Sequence, residues 1–424
     1  MREITLHNSW NSRVWKRIDL IATLAAIILA CQVAWVEDIA WMQAVAVGII
    51  VVTVGMLAWP YGILVLLIGS SVMSVFMIEV VAWNARPEHF AVVYALIAVG
   101  VWLVAGKRKP ALNRFDYCIL LFVIANFFSS AFGSTDPAST LRWALQNCLA
   151  VLFYFLVRVL VQDTRTLNYA VRIFLTIALV ESVYGILCYV SHQIFDTSFG
   201  MAIGQYLDTV AAPLGTLFEP NLFGAYTASA SVMFFALYLF AGHRALHLVC
   251  FLISGIASFL SFSRASLAAL FVVGGYLFWK SVRHTKGDIL RKLLAVGLVV
   301  VLILLLLSGP LGQVIRERFT NLFYEGLAEE TALGRAIIFQ EAIQEVPGHL
   351  LIGRGTASFN LTFDWNKYIP SWASEKTWIG NAPLRILHDT GLLGLASIFG
   401  FFVTVWLKIR PALRAPAYKN CLVV

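Results

Sequence analysis

Apolar runs of about 17–25 residues, the length that carries a helix across a bilayer, recur along the whole chain, and one long polar interval, roughly residues 309–380, interrupts them. A bilayer protein needs only a few residues to turn round, so roughly seventy polar residues in one place call for a purpose. The runs predict twelve spans, at about 18–36, 39–59, 61–83, 90–106, 116–132, 141–160, 172–194, 221–241, 245–261, 264–280, 292–308 and 382–407. The expected fold is therefore all-α: a single polytopic helical bundle of about twelve transmembrane helices with one long loop.

Composition agrees, because 60% hydrophobic and 13% charged residues exclude a soluble domain. The net charge of +8 does not indicate a nucleic-acid partner, since the basic residues are scattered through short inter-helix turns. They alternate instead. Arg2 to Arg17, Lys107 to Arg114, Arg158 to Arg172, Arg244, Lys280 to Lys292 and Lys408 to Lys419 all fall on one side, while the opposite short loops hold Arg86, Arg142 and Arg264. The positive-inside rule then puts both termini in the cytoplasm and the 309–380 loop outside, which in a Gram-negative cell is the periplasmic side of the inner membrane. Trp35, Trp41, Trp59, Trp83 and Trp102 fall near span ends, where interfacial anchors belong. The six cysteines stand singly without a CxxC pair, so neither a disulfide framework nor a metal site is expected, and no cofactor is implied.

Ionisable groups inside spans are expensive and mark function. On this topology Glu79, Asn126, Arg142, His192, Glu219, Arg264, Arg385, His388 and Asp389 all fall in the outer half, and Glu181 alone lies near mid-membrane. This convergence predicts an outward-opening cavity under the long loop. Three local patterns sharpen it. In Gly215-Thr-Leu-Phe-Glu219-Pro220-Asn221-Leu-Phe-Gly224, Pro220 fits a helix start with Glu219 at its positive end. In Ser261-Phe262-Ser263-Arg264, a short turn sets a guanidinium at the lipid–water boundary, where phosphate can be held by two bonds. In the stretch from Asn381 to Leu395, Arg385, His388 and Asp389 share one helix face, and a His beside a carboxylate is a candidate general base.

These motifs, with Gly334-Arg335 and Leu351-Ile352-Gly353-Arg354-Gly355 in the loop, resemble the O-antigen ligase/polymerase superfamily across residues 210–400. The resemblance implies a metal-independent glycosyltransferase of the inner membrane. Its donor would be an undecaprenyl-pyrophosphate-linked glycan and its acceptor a glycan or lipid hydroxyl, in O-antigen, capsule or exopolysaccharide synthesis. Arg264, Arg335, Arg354 and Arg385 would clamp the pyrophosphate, and His388, Asp389 and Glu219 would act on the acceptor. A helix over Ala336 to Val346 would start just after Arg335 and add its dipole to the clamp. The chain departs from the ligase pattern at Gly380-Asn381, where ligases commonly carry His-Asn, which moves weight toward a polymerase; His388, His349 or Glu219 would then substitute. The alternative from another class is a twelve-span secondary transporter or lipid-linked glycan flippase, which should show broken helices and symmetry between halves.

Overall fold

The structure, a computed structural model, describes residues 60–74, 78–80, 83–105, 112–202, 211–241, 245–284, 330–368 and 377–414. The expected spans at 18–36, 39–59 and 292–308 lie outside these residues. Among the described residues the elements are helices and two short antiparallel strand pairs. In order the elements are α1 (Tyr61–Ser70), β1 (Ile78–Val80), β2 (Trp83–Ala85), α2 (Pro87–Ala105), α3 (Arg114–Phe132), α4 (Pro137–Leu160), α5 (Thr164–Phe195), β3 (Met201–Ala202), β4 (Ala212–Pro213), α6 (Pro220–Phe240), α7 (Ala245–Leu260), α8 (Arg264–His284), α9 (Glu330–Glu345), α10 (Ser358–Thr362) and α11 (Ala382–Arg414). Among the described residues seven helices are long and apolar enough to cross a membrane: α2, α3, α4, α5, α6, α8 and α11. α1 and α7 are apolar but shorter.

Local chemistry sets the ends. Asn113 opens α3 with a capping box, accepting from the Phe115 and Asp116 N–H groups while Asp116 reaches back. Asp163 opens α5 the same way with Thr166. The span expected at 61–83 is helical only to Ser70. Ser70 and Ser71 hydroxyls bond to the Leu67 and Ile68 carbonyls, competing with the next turn, and the chain then forms the β1–β2 hairpin. α9 begins six residues before the stretch expected to be helical, at Glu330 rather than Ala336.

The chain divides into two compact units, one of residues 1–102, 157–311 and 419–424, the other of 103–156 and 312–418. In the first, α5, α6 and α7 bury Ala178, Ala230, Phe234, Phe235, Leu239 and Phe251, with Phe235 and Phe251 stacked at 4.6 Å. Small hydroxyls join these helices: Ser182 to Ser254 at 3.2 Å and Ser231 to the Phe251 carbonyl at 3.0 Å. Without water to compete, such bonds and close packing replace the hydrophobic drive between helices. In the second unit α3 packs along α11, with Phe401 meeting Phe115 and Tyr154 edge-on. Phe399, Phe402 and Trp406 of α11, and Ile97, Val101 and Val104 of α2, are exposed large hydrophobics of the kind that lipid covers.

Candidate active site

The second unit is built around a break in its last helix. At Gly391 the backbone of α11 turns to φ 65°, ψ −166°, a region open in practice only to glycine. A side chain there would run into the Leu351 peptide, and one at Gly353 (φ +83°) would meet the backbone of Asp389 and Thr390. The break frees peptide groups that a membrane helix cannot leave bare, and the loop after α9 takes them up. The Arg354 N–H donates to the His388 carbonyl at 2.8 Å, Gly355 N–H to the Asp389 carbonyl at 3.0 Å, and Leu392 N–H to the Leu350 carbonyl at 2.8 Å.

α3 closes the arrangement with side chains. The Ser129 hydroxyl donates to the Asp389 carbonyl and accepts from the Gly355 N–H at 2.9 Å. Ser130 accepts from the Thr356 N–H and donates to the Thr356 hydroxyl, both at 3.1 Å. The Thr356 hydroxyl donates to Asn126 Oδ1 at 3.0 Å, which also accepts from Asn147 of α4 at 3.2 Å. The backbone groups of the loop and of the helix break are thus satisfied inside protein.

On this frame sits an alternating chain of cations and anions. Arg354 pairs with Glu345, the last residue of α9. Glu345 Oε2 lies 2.9 Å from His388 Nε2, and His388 Nδ1 lies 3.0 Å from Asp389 Oδ1. Asp389 Oδ2 accepts from the Ala357 N–H at 3.0 Å and stands 3.8 Å from Arg385 Nε. His388 is buried at 1% side-chain exposure, whereas Arg385 is 42% exposed and forms the open end. Partial burial works against the Glu345 charge, but the bonds from His388 and Arg354 outweigh it and hold the carboxyl down at about 2. Phe359 meets the His388 ring edge-on at 5.5 Å. Arg385 lies 5.6 Å over the Trp378 ring, which meets Trp143 edge-on at 5.2 Å.

Arg385, His388 and Asp389 come together as their spacing predicts, and Arg354 joins them. Arg335 does not: it is exposed in the second turn of α9, and since that helix starts earlier than expected it does not sit at a helix N-terminus. His349 is exposed in the short 3-10 turn after α9. Each ring nitrogen of His388 faces a carboxylate oxygen, so in this arrangement neither is open to take a proton from a hydroxyl. Glu345 and the Ser129–Ser130 pair were not singled out from the sequence, because nothing local ties them to residues 43 to 260 positions away.

The first unit carries Glu219 and Arg264. Glu219 is the N-cap residue of α6 ahead of Pro220; its half-buried side chain does not cap the helix but accepts from the Asn221 amide at 2.9 Å. Arg264 is the half-buried first residue of α8, behind a turn in which Phe262 takes φ 53°. Ser263 caps that helix, its hydroxyl accepting from the Ser266 N–H at 3.5 Å and its carbonyl from the Leu267 N–H at 3.1 Å. The two motifs touch. Ser258 donates to the Gly224 carbonyl at 3.1 Å, and a side chain at Gly224 would strike Ser261 and Ser263.

Apolar helices of spanning length, a helix broken around its own loop and buried ion pairs at that break define a multi-pass membrane protein with a built polar site. Residues 249–399 match the family model described as O-antigen ligase, and over that stretch the chain is similar to the O-antigen ligase/polymerase superfamily. The match takes in Arg264, Arg335, Arg354, Arg385, His388 and Asp389, and leaves Glu219 outside. No curated protein matches the chain.

Proposed function

We propose that this protein transfers or polymerises an undecaprenyl-pyrophosphate-linked glycan at the outer face of the inner membrane, passing it to a glycan or lipid hydroxyl. The observation that carries this reading is the chain of ion pairs that runs from Arg354 through Glu345, buried His388 and Asp389 to the exposed Arg385 guanidinium, with all but Glu345 named as site residues from the sequence and all lying within the O-antigen ligase match. Breaking a glycosidic bond to a diphosphate leaves charge on the leaving group, and preorganised guanidinium groups stabilise that charge as it develops. Arg385, the exposed end of the cluster, is the residue proposed to meet the anion. His388, Asp389 and Glu345 hold it and Arg354 in place. Such a leaving group departs readily, so the acceptor hydroxyl can shed its proton late and a strong base is not required. Arg264, in the other unit, is proposed as a phosphate contact in its own right, and Glu219, whose motif meets the Arg264 turn at Gly224, as the carboxylate for a hydroxyl. Arg335 is exposed for an anion to approach. The transport alternative draws no support from the family match, and the peptide groups freed at Gly391 are taken by the chain's own loop.

The test is reconstitution of the full chain in liposomes with a defined undecaprenyl-pyrophosphate glycan, scoring chain extension and transfer to a lipid acceptor separately. Either product supports the proposal. Movement of the intact donor across the bilayer with neither product would overturn it.

A further inference from the structure

Glu181 is a buried ionisable residue that the glycan-transfer reading does not use. It lies in the middle of α5, about 20–25 Å of helix from either end, and is 4% exposed. Among the described residues it makes no ion pair; its partners are Thr216 and, through Thr216, the carbonyl of Val72. Glu181 Oε1 accepts from the Thr216 N–H at 2.7 Å, Oε2 lies 2.8 Å from the Thr216 hydroxyl oxygen, and that same oxygen lies 2.8 Å from the Val72 carbonyl oxygen.

The protons can be counted. Oε2, Oγ1 and the Val72 oxygen stand in a row, and the two contacts between them need one proton each. A threonine hydroxyl has one, and a peptide carbonyl has none. If Glu181 is ionised, one of the two contacts is oxygen against oxygen at bonding distance with nothing between, and an unpaired charge is buried in the span as well. If Glu181 carries a proton, Oε2–H donates to Thr216 Oγ1, Thr216 donates to Val72, and every group in the row is satisfied.

We propose that Glu181 is a neutral carboxylic acid that donates a hydrogen bond to Thr216 and thereby positions the Gly215–Gly224 motif. The motif is moulded around this carboxyl. Gly215 takes φ +62°, and a side chain there would collide with Glu181 and Phe223; Phe223 in turn fills the space over Gly185, one turn along α5 from Glu181. Thr216 starts the turn that leads to Glu219 and Asn221 at the head of α6. Glu181 therefore acts through Glu219 and Asn221 and is a positioning residue. Their part in catalysis rests on the reading above; the protonation of Glu181 does not.

The experiment is difference infrared spectroscopy of the full chain in lipid nanodiscs at neutral pH, wild type minus E181Q. The carbonyl stretch of a protonated carboxylic acid should be present in the wild type and absent from E181Q. A carboxylate band in its place would overturn the proposal. The amide of E181Q can donate to Thr216 and accept from its N–H, so its thermal midpoint and glycan transfer should stay within about threefold of wild type in the equilibrium and rate read, whereas E181L should lose tenfold or more. An E181Q variant as impaired as E181L would also overturn it. The infrared band is read without any glycan, so a failure of transfer in the wild type bears on the proposed function and leaves the test of Glu181 intact.

Discussion

Glu345 and His388 stand 43 residues apart in the chain and meet at 2.9 Å, closing the end of α9 onto the broken last helix. The contact has a pH signature. A carboxyl held at about 2, below its ordinary 4.5, contributes stability that is complete above pH 4.5 and is lost as pH falls from there through the folded value. Wild-type protein in detergent should therefore lose thermal stability between about pH 5 and pH 2 more steeply than E345Q. At pH 7 E345Q should be less stable by about 1–3 kcal/mol, since Arg354 and His388 lose a charged acceptor. Melting curves at both ends of the range check this; parallel pH dependence in the two proteins would remove Glu345 from the account.

Gly391 and Gly353 tolerate no side chain. Each pairs a backbone conformation that favours glycine with a neighbouring peptide where Cβ would sit. Changing either to Ala should cost about 3 kcal/mol or more, seen as loss of folded protein in the membrane. Gly274→Ala, inside α8 where nothing lies within 4 Å, is the control and should leave stability unchanged or raise it by up to about 1 kcal/mol.

Removing the proposed phosphate contacts should separate folding from chemistry. Arg385→Ala and Arg264→Ala should each lower glycan transfer by about a hundredfold while insertion and melting stay near wild type. Arg385→Lys should recover only part of the loss, because a lysine cannot hold an oxyanion by two bonds. Normal product from Arg264→Ala or Arg385→Ala would end that residue's role.

Gly380 is exposed, and a Cβ built there meets nothing within 4 Å. A histidine, the residue that the resemblance to ligases implies before the last helix, should fit with a stability change of no more than about 0.5 kcal/mol. Gly380→His should shift products from chain extension toward transfer to a lipid acceptor. An unchanged product ratio would mean that this position does not decide between the two.

Span existence was legible because apolar length alone encodes it: the runs at 116–132, 141–160 and 221–241 differ from α3, α4 and α6 by only a few residues at either end. Where the ends moved, polar caps such as Asn113 and Asp163 extended a helix beyond its apolar run. The i, i+4 pair Arg385–Asp389 was legible because helix geometry makes it local. The break at Gly391 was not. A glycine among leucines reads as a tolerated helix residue until the loop that occupies its missing side-chain space is known. The same holds for 61–83, where apolar residues continue past Ser71 but hydroxyl bonds to the preceding turn end the helix.

The bonds from α3 to the loop and the last helix span 226 to 260 residues. During synthesis Ser129, Ser130 and Asn126 must therefore enter the bilayer long before their partners leave the ribosome. Asn126 can already meet Asn147 of α4, but until the loop and α11 arrive the Ser129 and Ser130 side chains lack the partners they hold in the finished site. Side chains in that state are a natural handle for membrane chaperones and proteases. Completion of the site is, on this account, also the signal that the protein has been finished.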